Sequence, residues 1–444
     1  CSSDLFNTIL NDTLPRLHYQ YIMNSQFITP QLFSYLFIFM VLLNLLIEWW
    51  LSKRQVNSVV SQSGTVPDHF RETLSIEDHQ KAASYTTAKQ RIGQLEMAYG
   101  VILLFAWTIN GGMELLNQLW LSSNIDPLFA GVGFIFSFIF ISSLLGIPFA
   151  IYNTFFLESK FGFNKTTITT FITDTAKSIL LSILLGAPLI WVILWLMDGA
   201  GELWWFKVWA VWMGFTLLML WAWPTFLAPL FNKFTPLDNS ELNTKIENLL
   251  KSAGFVSNGI FIMDGSKRSG HGNAYFTGLG EKRRIVFYDT LLESLSDEEI
   301  LAVLAHELGH FKNGHIKKRL IVSATMSLLA LALLGWLIGE EWFYQGLGVT
   351  TPSTHTALVL FLLASPAFSF WVQPVMAAYS RKHEFEADEF AAESSDPKYL
   401  ISALVAMYRE NAATVTPDQL YSAYHDSHPP APVRIAHLAE LKNS

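Results

Sequence analysis

Long apolar runs alternate with polar segments along the chain. Each run is near the ~20 residues that a helix needs to cross a bilayer. Short links rich in Gly, Asp, Ser and Pro separate several of them. The pattern predicts seven transmembrane helices, at residues 31–52, 97–121, 127–151, 175–197, 203–227, 319–339 and 356–379.

A less apolar segment between the fifth and sixth runs mixes helical and strand periodicity. Residues 239–253 have the spacing of an amphipathic helix, whereas 259–263 and 285–288 have the patterns of short strands. Residues 273–277 form a further predicted strand, bounded by glycines. This strand is either an exposed edge that pairs with an extended peptide or an ordinary hairpin strand. We predict a mostly α fold, a polytopic membrane protein with a small α+β domain.

Composition agrees with a membrane protein and narrows the chemistry. The chain is 51% hydrophobic and only 15% charged. A net charge of −8 and the lack of a basic stripe argue against nucleic acid as a partner. The single cysteine excludes a cysteine-based zinc site, so any metal must be held by histidine and carboxylate.

Basic residues fall on alternate loops. Lysine and arginine occur in the loops after the first and third runs, but none occurs in 122–126, 198–202 or 340–355. Short cytoplasmic loops are enriched in these residues. We therefore predict an N-terminus outside and a C-terminus in the cytoplasm, with the small domain on the cytoplasmic side.

The sequence H-E-x-x-H occurs in the last predicted helix of the small domain. On a helix, His306 and His310 stand one turn apart on the same face and can bind one metal ion, while Glu307 lies beside a water at that ion. Ser296 is a good N-cap with Glu299 as its capping-box partner. The arrangement is typical of zinc-assisted peptide hydrolysis, and the alternative is a buried helix with two satisfied histidines.

The third ligand is not on the same helix. Ile316 occupies the position where one group of zinc proteases has its third histidine, and His315 is out of register, so we interpret His315 as a helix-end cation. Glu384 and Asp388 stand one turn apart on a later helix. They are either a ligand pair or part of a solvated charged face. Because two spans between His310 and Glu384 return the chain to the same side, we favour the ligand pair.

Six further stretches carry a family resemblance together with HELGH. They are VPDHF at 66–70 with KAASYTTAKQR at 81–91, LFNKFTPL at 230–237, MDGSKRSGHGNAYFTGLG at 263–280, EFEAD at 384–388 and HPPAPVRIAHL at 428–438. In this order they make the chain similar to the type I CAAX prenyl endopeptidases, integral-membrane zinc metalloproteases of the gluzincin kind.

The resemblance implies seven helices around a water-filled chamber, capped by the zinc domain. It also implies one Zn²⁺ held by His306, His310 and Glu384, with Glu307 as general base. The other implied roles are a ligand-orienting partner at Asp388, an arginine pairing with the carboxylates at Arg434, an oxyanion donor at His428, and substrate contacts at Asn273, Ala274 and Tyr275.

The resulting domain prediction has four parts. Residues 1–228 hold five spans and the first cytoplasmic loop, 229–318 the cytoplasmic zinc metalloprotease domain, 319–379 two further spans, and 380–444 a C-terminal cytoplasmic segment that completes the site.

We therefore predict a zinc-dependent endopeptidase of the lipid bilayer that cleaves peptides or proteins, including CAAX-type C-termini with or without a prenyl group. A quality-control protease for membrane proteins is the alternative among enzymes. A seven-span transporter or receptor is the alternative from another class. The compact link between the strand at 273–277 and the zinc helix favours a bacterial inner membrane, with the endoplasmic reticulum as the eukaryotic equivalent.

Overall fold

The computed structural model describes residues 28–277 and 282–443, and most of them are helical. The N-terminal stretch and the last glycines of the 263–280 motif lie outside the described residues. In the first half, two π-helical segments, Tyr152–Glu158 and Trp223–Leu227, continue long helices. The helices are α1 Pro30–Ser61, α2 Ile76–Trp107, α3 Gly112–Leu121, α4 Pro127–Ile151, α5 Ser159–Phe161, α6 Ile168–Gly199, α7 Trp204–Ala222 and α8 Ala228–Phe231.

The second half holds the small domain and the remaining helices. The helices are α9 Ser240–Ser252, α10 Asp289–Ser294, α11 Asp297–Lys312, α12 His315–Leu337, α13 Glu341–Gly346, α14 Thr354–Ser369, α15 Val372–Ser394, α16 Pro397–Glu410, α17 Gln419–His425 and α18 Ala431–Asn443. The strands are β1 Phe234–Pro236, β2 Val256–Met263, β3 Ala274–Thr277 and β4 Lys282–Tyr288.

The described chain has five helices long and apolar enough to cross a membrane, or up to seven if each of two bent pairs is one span. The five are Pro30–Ser61, Pro127–Phe161, Ile168–Gly199, Trp204–Phe231 and His315–Leu337. The bent pairs are α2 with α3, at 46°, and α14 with α15, at 71°. Every predicted apolar run overlaps one of these helices or pairs, to within two residues at the ends.

A proline explains the sharper bend. Pro374 has no N–H to donate to the carbonyl of Phe370, which lies four residues earlier. That carbonyl instead accepts from the backbone N–H of Gln373 and from the hydroxyl of Tyr424, both at 3.2 Å. The helix therefore breaks between Ser369 and Val372 without leaving the carbonyl unpaired.

The long helices close a ring. Consecutive helices contact one another from α1 through α2, α3, α4, α6, α7, α12 and α14, and α14 contacts α1. In two of these helices the buried side chains lie near the ends. In α6 they lie only at 193–197, and in α12 they are His315, Leu334 and Leu337. The middle turns of both helices therefore have no buried side chain.

Two separate apolar cores lie at the two ends of this ring. The core at the α3 end includes Phe37, Met113, Phe134, Leu194 and Phe343. The other core belongs to the small domain, and Phe70 from the loop between α1 and α2 joins it. That loop and the small domain are therefore on one side of the ring.

The small domain contains a four-stranded sheet in the order β1-β2-β4-β3. Strands β2 and β4 are parallel, and the other two pairs are antiparallel. Helix α9, capped by Asn239, buries Leu242, Ile246 and Leu250 on one face. Helix α9 and strands β2, β3 and β4 lie where the periodicity predicted them, and β3 is an edge strand that pairs only with β4 among the described strands.

Candidate metal centre

Helix α11, which contains HELGH, begins at the predicted cap. The Ser296 side chain accepts from the backbone N–H of Glu299, and the Glu299 carboxylate accepts from the N–H of Ser296 at 2.8 Å. Gly314 has a φ of +67°, which suits glycine and ends the helix. The capping-box prediction is confirmed.

Helix α11 packs closely on α15 because a glycine faces it. A Cβ atom built on Gly309 would lie 2.9 Å from both the Cα atom and the carbonyl oxygen of Ala387. Gly309 lies between the two histidines of α11, and Ala387 lies between Glu384 and Asp388 of α15. The missing side chain therefore lets the two helices approach at the level of the predicted ligands.

The three predicted ligands come together. One ligand atom from each of His306, His310 and Glu384 lies within 4.8 Å of the others. The Nε2 atoms of His306 and His310 are each 3.4 Å from a Glu384 carboxylate oxygen. Neighbouring ligands of a tetrahedral zinc ion stand about 3.3–3.4 Å apart, given bonds of ~2.0–2.1 Å. The spacing fits a zinc ion.

The state of the Glu384 carboxylate supports the same conclusion. The side chain is 0% exposed, and neither oxygen has a hydrogen-bond partner among the described residues. A buried carboxylate without a partner is costly unless it is neutralised or coordinates a metal. Burial also lowers the pKa of His310 to about 3, so this imidazole is neutral and its lone pair is available to a cation. The donor set suits Zn²⁺.

Asp388 and Arg434 lie behind His306. The Nδ1 atom of His306 is 2.8 Å from Asp388 Oδ1, and the Nε–H group of Arg434 donates to Asp388 Oδ2 at 2.8 Å. All three side chains are buried. A carboxylate on the far nitrogen of a zinc-binding histidine fixes its tautomer and ring orientation. The geometry suits the predicted role of Asp388.

Glu307 stands beside these groups on α11, one residue after His306. Burial raises the pKa of Glu307 above its usual value. A raised pKa brings a carboxylate closer to the range in which a general base works best at neutral pH. The local environment therefore suits proton transfer.

His428 reaches the centre from the loop before α18. Its Nε2 atom is 3.5 Å from Glu384 Oε1, and its side chain is 65% exposed. Its Nδ1 atom lies 3.1 Å from the hydroxyl of Ser427. The loop is held at its end, since the N–H of Ala431 donates to the hydroxyl of Tyr408 at 3.0 Å. His428 also lines a cavity of ≈ 570 Å³ that runs beside the centre.

Strand β3 lies against the same helix. The rings of Phe276 and Phe311 are 5.3 Å apart, and Phe311 follows His310. The side chain of Asn273 is exposed, and its oxygen accepts from the N–H of Ala274 at 2.8 Å. Tyr275 instead packs its ring edge-on against Tyr288. Asn273 and Ala274 thus border the edge, whereas the Tyr275 ring packs within the sheet.

The interpretation of His315 as a helix-end cation is wrong. His315 is the first residue of α12 and is 1% exposed, with its Nδ1 atom 2.9 Å from Nδ1 of His310. Its other nitrogen lies 2.8 Å from the Glu386 carboxylate. The position of His315, five residues after His310, indicates that the two side chains can lie close together, but it does not reveal that His315 is buried.

The chain has a ring of apolar helices and an H-E-x-x-H helix that faces a buried carboxylate. These features together place it in the class of membrane zinc metalloendopeptidases. Comparison with known proteins agrees. The model of the family described as CAAX prenyl protease N-terminal, five membrane helices, matches residues 55–233, and that of peptidase family M48 matches residues 236–442.

Relatives and a solved structure match most of the chain. A CAAX prenyl protease 1 homolog of Dictyostelium discoideum is 34% identical, covering 86% of this chain and 91% of the relative. The Homo sapiens homolog is 30% identical, covering 89% and 93%. The crystal structure of S. mikatae Ste24p aligns with a TM-score of 0.85 and 30% identity, covering 91% of this chain and 99% of that one.

The chain belongs to the CAAX prenyl protease 1 family within peptidase family M48. It is a membrane zinc metalloprotease whose substrates are peptides or proteins. The transporter or receptor alternative is not favoured, because it leaves the metal centre and this membership unexplained.

Proposed function

We propose that this protein cleaves peptide bonds near the C-terminus of CAAX-type substrates, using one Zn²⁺ held by His306, His310 and Glu384. The observation that carries the proposal is the buried Glu384 carboxylate, whose unpaired oxygens face both histidine Nε2 atoms at 3.4 Å. A bound Zn²⁺ supplies Lewis-acid polarisation of the scissile carbonyl and makes water more acidic.

In this proposal, Glu307 transfers the proton and His428 stabilises the oxyanion. Glu307 takes a proton from the attacking water and later delivers it to the leaving amine. Its buried position favours this exchange, because burial raises its pKa. When the hydroxyl of Ser427 donates to Nδ1 of His428, Nε2 carries the ring proton and points into the centre. His428 then donates a hydrogen bond to the developing oxyanion.

The edge strand orients the peptide. The backbone carbonyl of Asn273 accepts from the N–H of Tyr288 at 2.9 Å. Because hydrogen-bonded positions alternate along an antiparallel pair, the backbone groups of Asn273 and Tyr275 point toward β4. The backbone groups of Ala274 and Phe276 therefore point to the free edge. An extended substrate would pair with them by strand addition, and the exposed Asn273 side chain lies at the start of that edge.

The membrane part forms seven spans around a chamber in this proposal. The closed ring of helix contacts supports it. The five unbroken spans are also little buried by protein, since only 6–22% of the most apolar stretch of each is buried. Apolar cores at the two ends, with unburied turns between them, suit a hydrated interior.

The domain division at 1–228, 229–318, 319–379 and 380–444 is part of the same proposal. It is supported by the small-domain core, which combines residues from 237–308 with residues from 391–438. The outside N-terminus and cytoplasmic C-terminus rest on the loop charges. The bacterial inner membrane stays a prediction, with the endoplasmic reticulum as the alternative for a eukaryotic source.

A panel of peptides tests the substrate. Peptides ending in a CAAX sequence, with and without a farnesyl group, are incubated with the purified full chain, and the products are identified by mass spectrometry. We expect cleavage after the modified cysteine, faster for the farnesylated peptide and absent with a chelator. Equal cleavage of unrelated unmodified peptides would instead favour the quality-control alternative.

A further inference from the structure

A second cluster of titratable side chains lies directly behind His310. His315 from α12, with His383 and Glu386 from α15, places one ligand-type atom from each residue within 4.8 Å of the others. Both histidines are 1% exposed. The two histidines are therefore buried, the Glu386 side chain is 29% exposed, and His315 contacts the metal centre through His310.

The cluster is poorly shaped for a metal ion of its own. The rings of His315 and His383 stack with centroids 4.0 Å apart and planes 15° apart. Imidazole lone pairs lie in the ring plane, so two stacked rings cannot both direct one at the same ion. Both nitrogens of His315 are also engaged, Nδ1 with His310 at 2.9 Å and Nε2 with Glu386 at 2.8 Å.

These distances define a hydrogen-bond chain with one consistent direction. The Nε2 atom of His310 faces Glu384 in the metal centre, so a metal ligand at this position carries its proton on Nδ1. That N–H group donates to Nδ1 of His315, which must then be unprotonated. His315 consequently carries its proton on Nε2 and donates it to the Glu386 carboxylate.

We propose that His315 and Glu386 are positioning residues, which fix the tautomer and ring orientation of His310 and strengthen its bond to zinc. The inference rests on the zinc site of the proposed function. His306 receives the same support directly from Asp388 at 2.8 Å, whereas His310 receives it from Glu386 through an intervening imidazole. A carboxylate behind a zinc-binding histidine raises its basicity as a ligand.

The surroundings hold this chain in place. The ring of Tyr379 packs edge-on against His383 at 4.3 Å, and His383 stacks on His315, which sets the plane of the His315 ring. Lys318 and Lys382 lie 3.7 and 3.8 Å from the Glu386 carboxylate. The carboxylate is thus held between two cations and the imidazole that it accepts from.

The test measures how fast zinc leaves the purified full chain for a chromophoric chelator. His315→Phe keeps a ring against His383 but removes the acceptor for His310, and we expect about 10–100-fold faster release. His315→Asn restores an acceptor at the δ1 position and should recover part of the loss. Glu386→Ala should release zinc faster than Glu386→Gln, which keeps an accepting oxygen.

A matched control and a second readout separate positioning from general destabilisation. Glu389 lies on the same helix, is paired with His437 at 3.5 Å and is largely exposed, so Glu389→Gln should release zinc at the wild-type rate. In protein loaded with Co²⁺, His315→Phe should shift the visible absorption band, and Glu389→Gln should not.

Wild-type release rates in both His315→Phe and Glu386→Ala would overturn the inference while leaving the zinc site intact. If His315→Phe fails to fold, Glu386→Ala decides the matter. The Glu386 side chain is 29% exposed and reaches the domain surface, so it can be truncated without opening the core. A wild-type chain that binds no zinc would overturn the proposed site and this inference together.

Discussion

Carboxylates on α15 differ in what they touch, and this difference separates their expected roles. Glu384 has no hydrogen-bond partner among the described residues, whereas Asp388 is engaged by Arg434 and His306. Glu384 is therefore free to bind a cation, and Asp388 is not.

Glu384→Ala should lose the metal. One of three protein ligands disappears, and the two histidines alone hold zinc poorly. We expect the zinc content of the purified protein, measured by atomic emission, to fall from near one per chain to near zero. Glu393→Ala, on the same helix, serves as the control, and a full zinc content in Glu384→Ala would show that another group is the third ligand.

Glu307→Gln should keep zinc and fold while losing cleavage. The amide has the same shape but cannot take a proton, so the rate should drop about 10²–10⁴-fold, as expected for loss of a general base. The comparison is made on one peptide, with zinc content measured on the same samples. Undiminished cleavage in a zinc-loaded Glu307→Gln protein would falsify the role.

Residues differ in how far sequence could reveal them. His306, Glu307 and His310 are recognisable because their spacing on one helix is local. Glu384 required an argument about two membrane crossings, and His315 was misinterpreted because its burial depends on how α12 packs against α15. Side-chain contacts between distant helices are not encoded in any local pattern.

Among the elements, the approach of α11 and α15 is the most sensitive contact. Gly309→Ala would place a methyl group 2.9 Å from the backbone of Ala387, which cannot move aside as a flexible side chain could. The helices must then separate, and the ligands with them. We expect a loss of zinc affinity and of activity, measured by metal titration of the purified protein.

Gly93→Ala is the matched change. Gly93 lies within α2, and a Cβ atom there would have no neighbour within 4 Å. Alanine in a helix interior is favoured over glycine by about 1 kcal/mol. Gly93→Ala should therefore leave zinc binding unchanged, and equal behaviour of the two variants would contradict the packing argument.

The elements themselves were largely predictable, and the distant contacts at their breaks were not. Apolar runs and short strands have clear periodicities, so α9 and strands β2, β3 and β4 lie close to their predicted positions. At the break before α15, the Phe370 carbonyl that Pro374 cannot pair with accepts from Gln373 nearby and from the hydroxyl of Tyr424, some 50 residues later. A distant hydrogen bond of this kind leaves no trace in the hydrophobic pattern.

At the scale of the whole molecule, the orientation in the membrane can be tested with one introduced cysteine. In a Cys1→Ser background, Ser123→Cys lies between α3 and α4, and Thr65→Cys lies between α1 and α2. In spheroplasts, a membrane-impermeant maleimide should label Ser123→Cys directly and Thr65→Cys only after permeabilisation. The reverse pattern would place the metal centre outside.

The route of the chain between its ligands has a thermodynamic consequence. His306 and Glu384 are about 80 residues apart, and α12 and α14 lie between them. The ligand atoms meet only in the folded chain, so the ion binds the folded state and stabilises it by about 4 kcal/mol when free zinc is at 1,000 times its Kd. Removing the ion therefore lowers the stability of the fold as well as abolishing the chemistry. The demetallated enzyme should have a lower melting temperature than the zinc-loaded one.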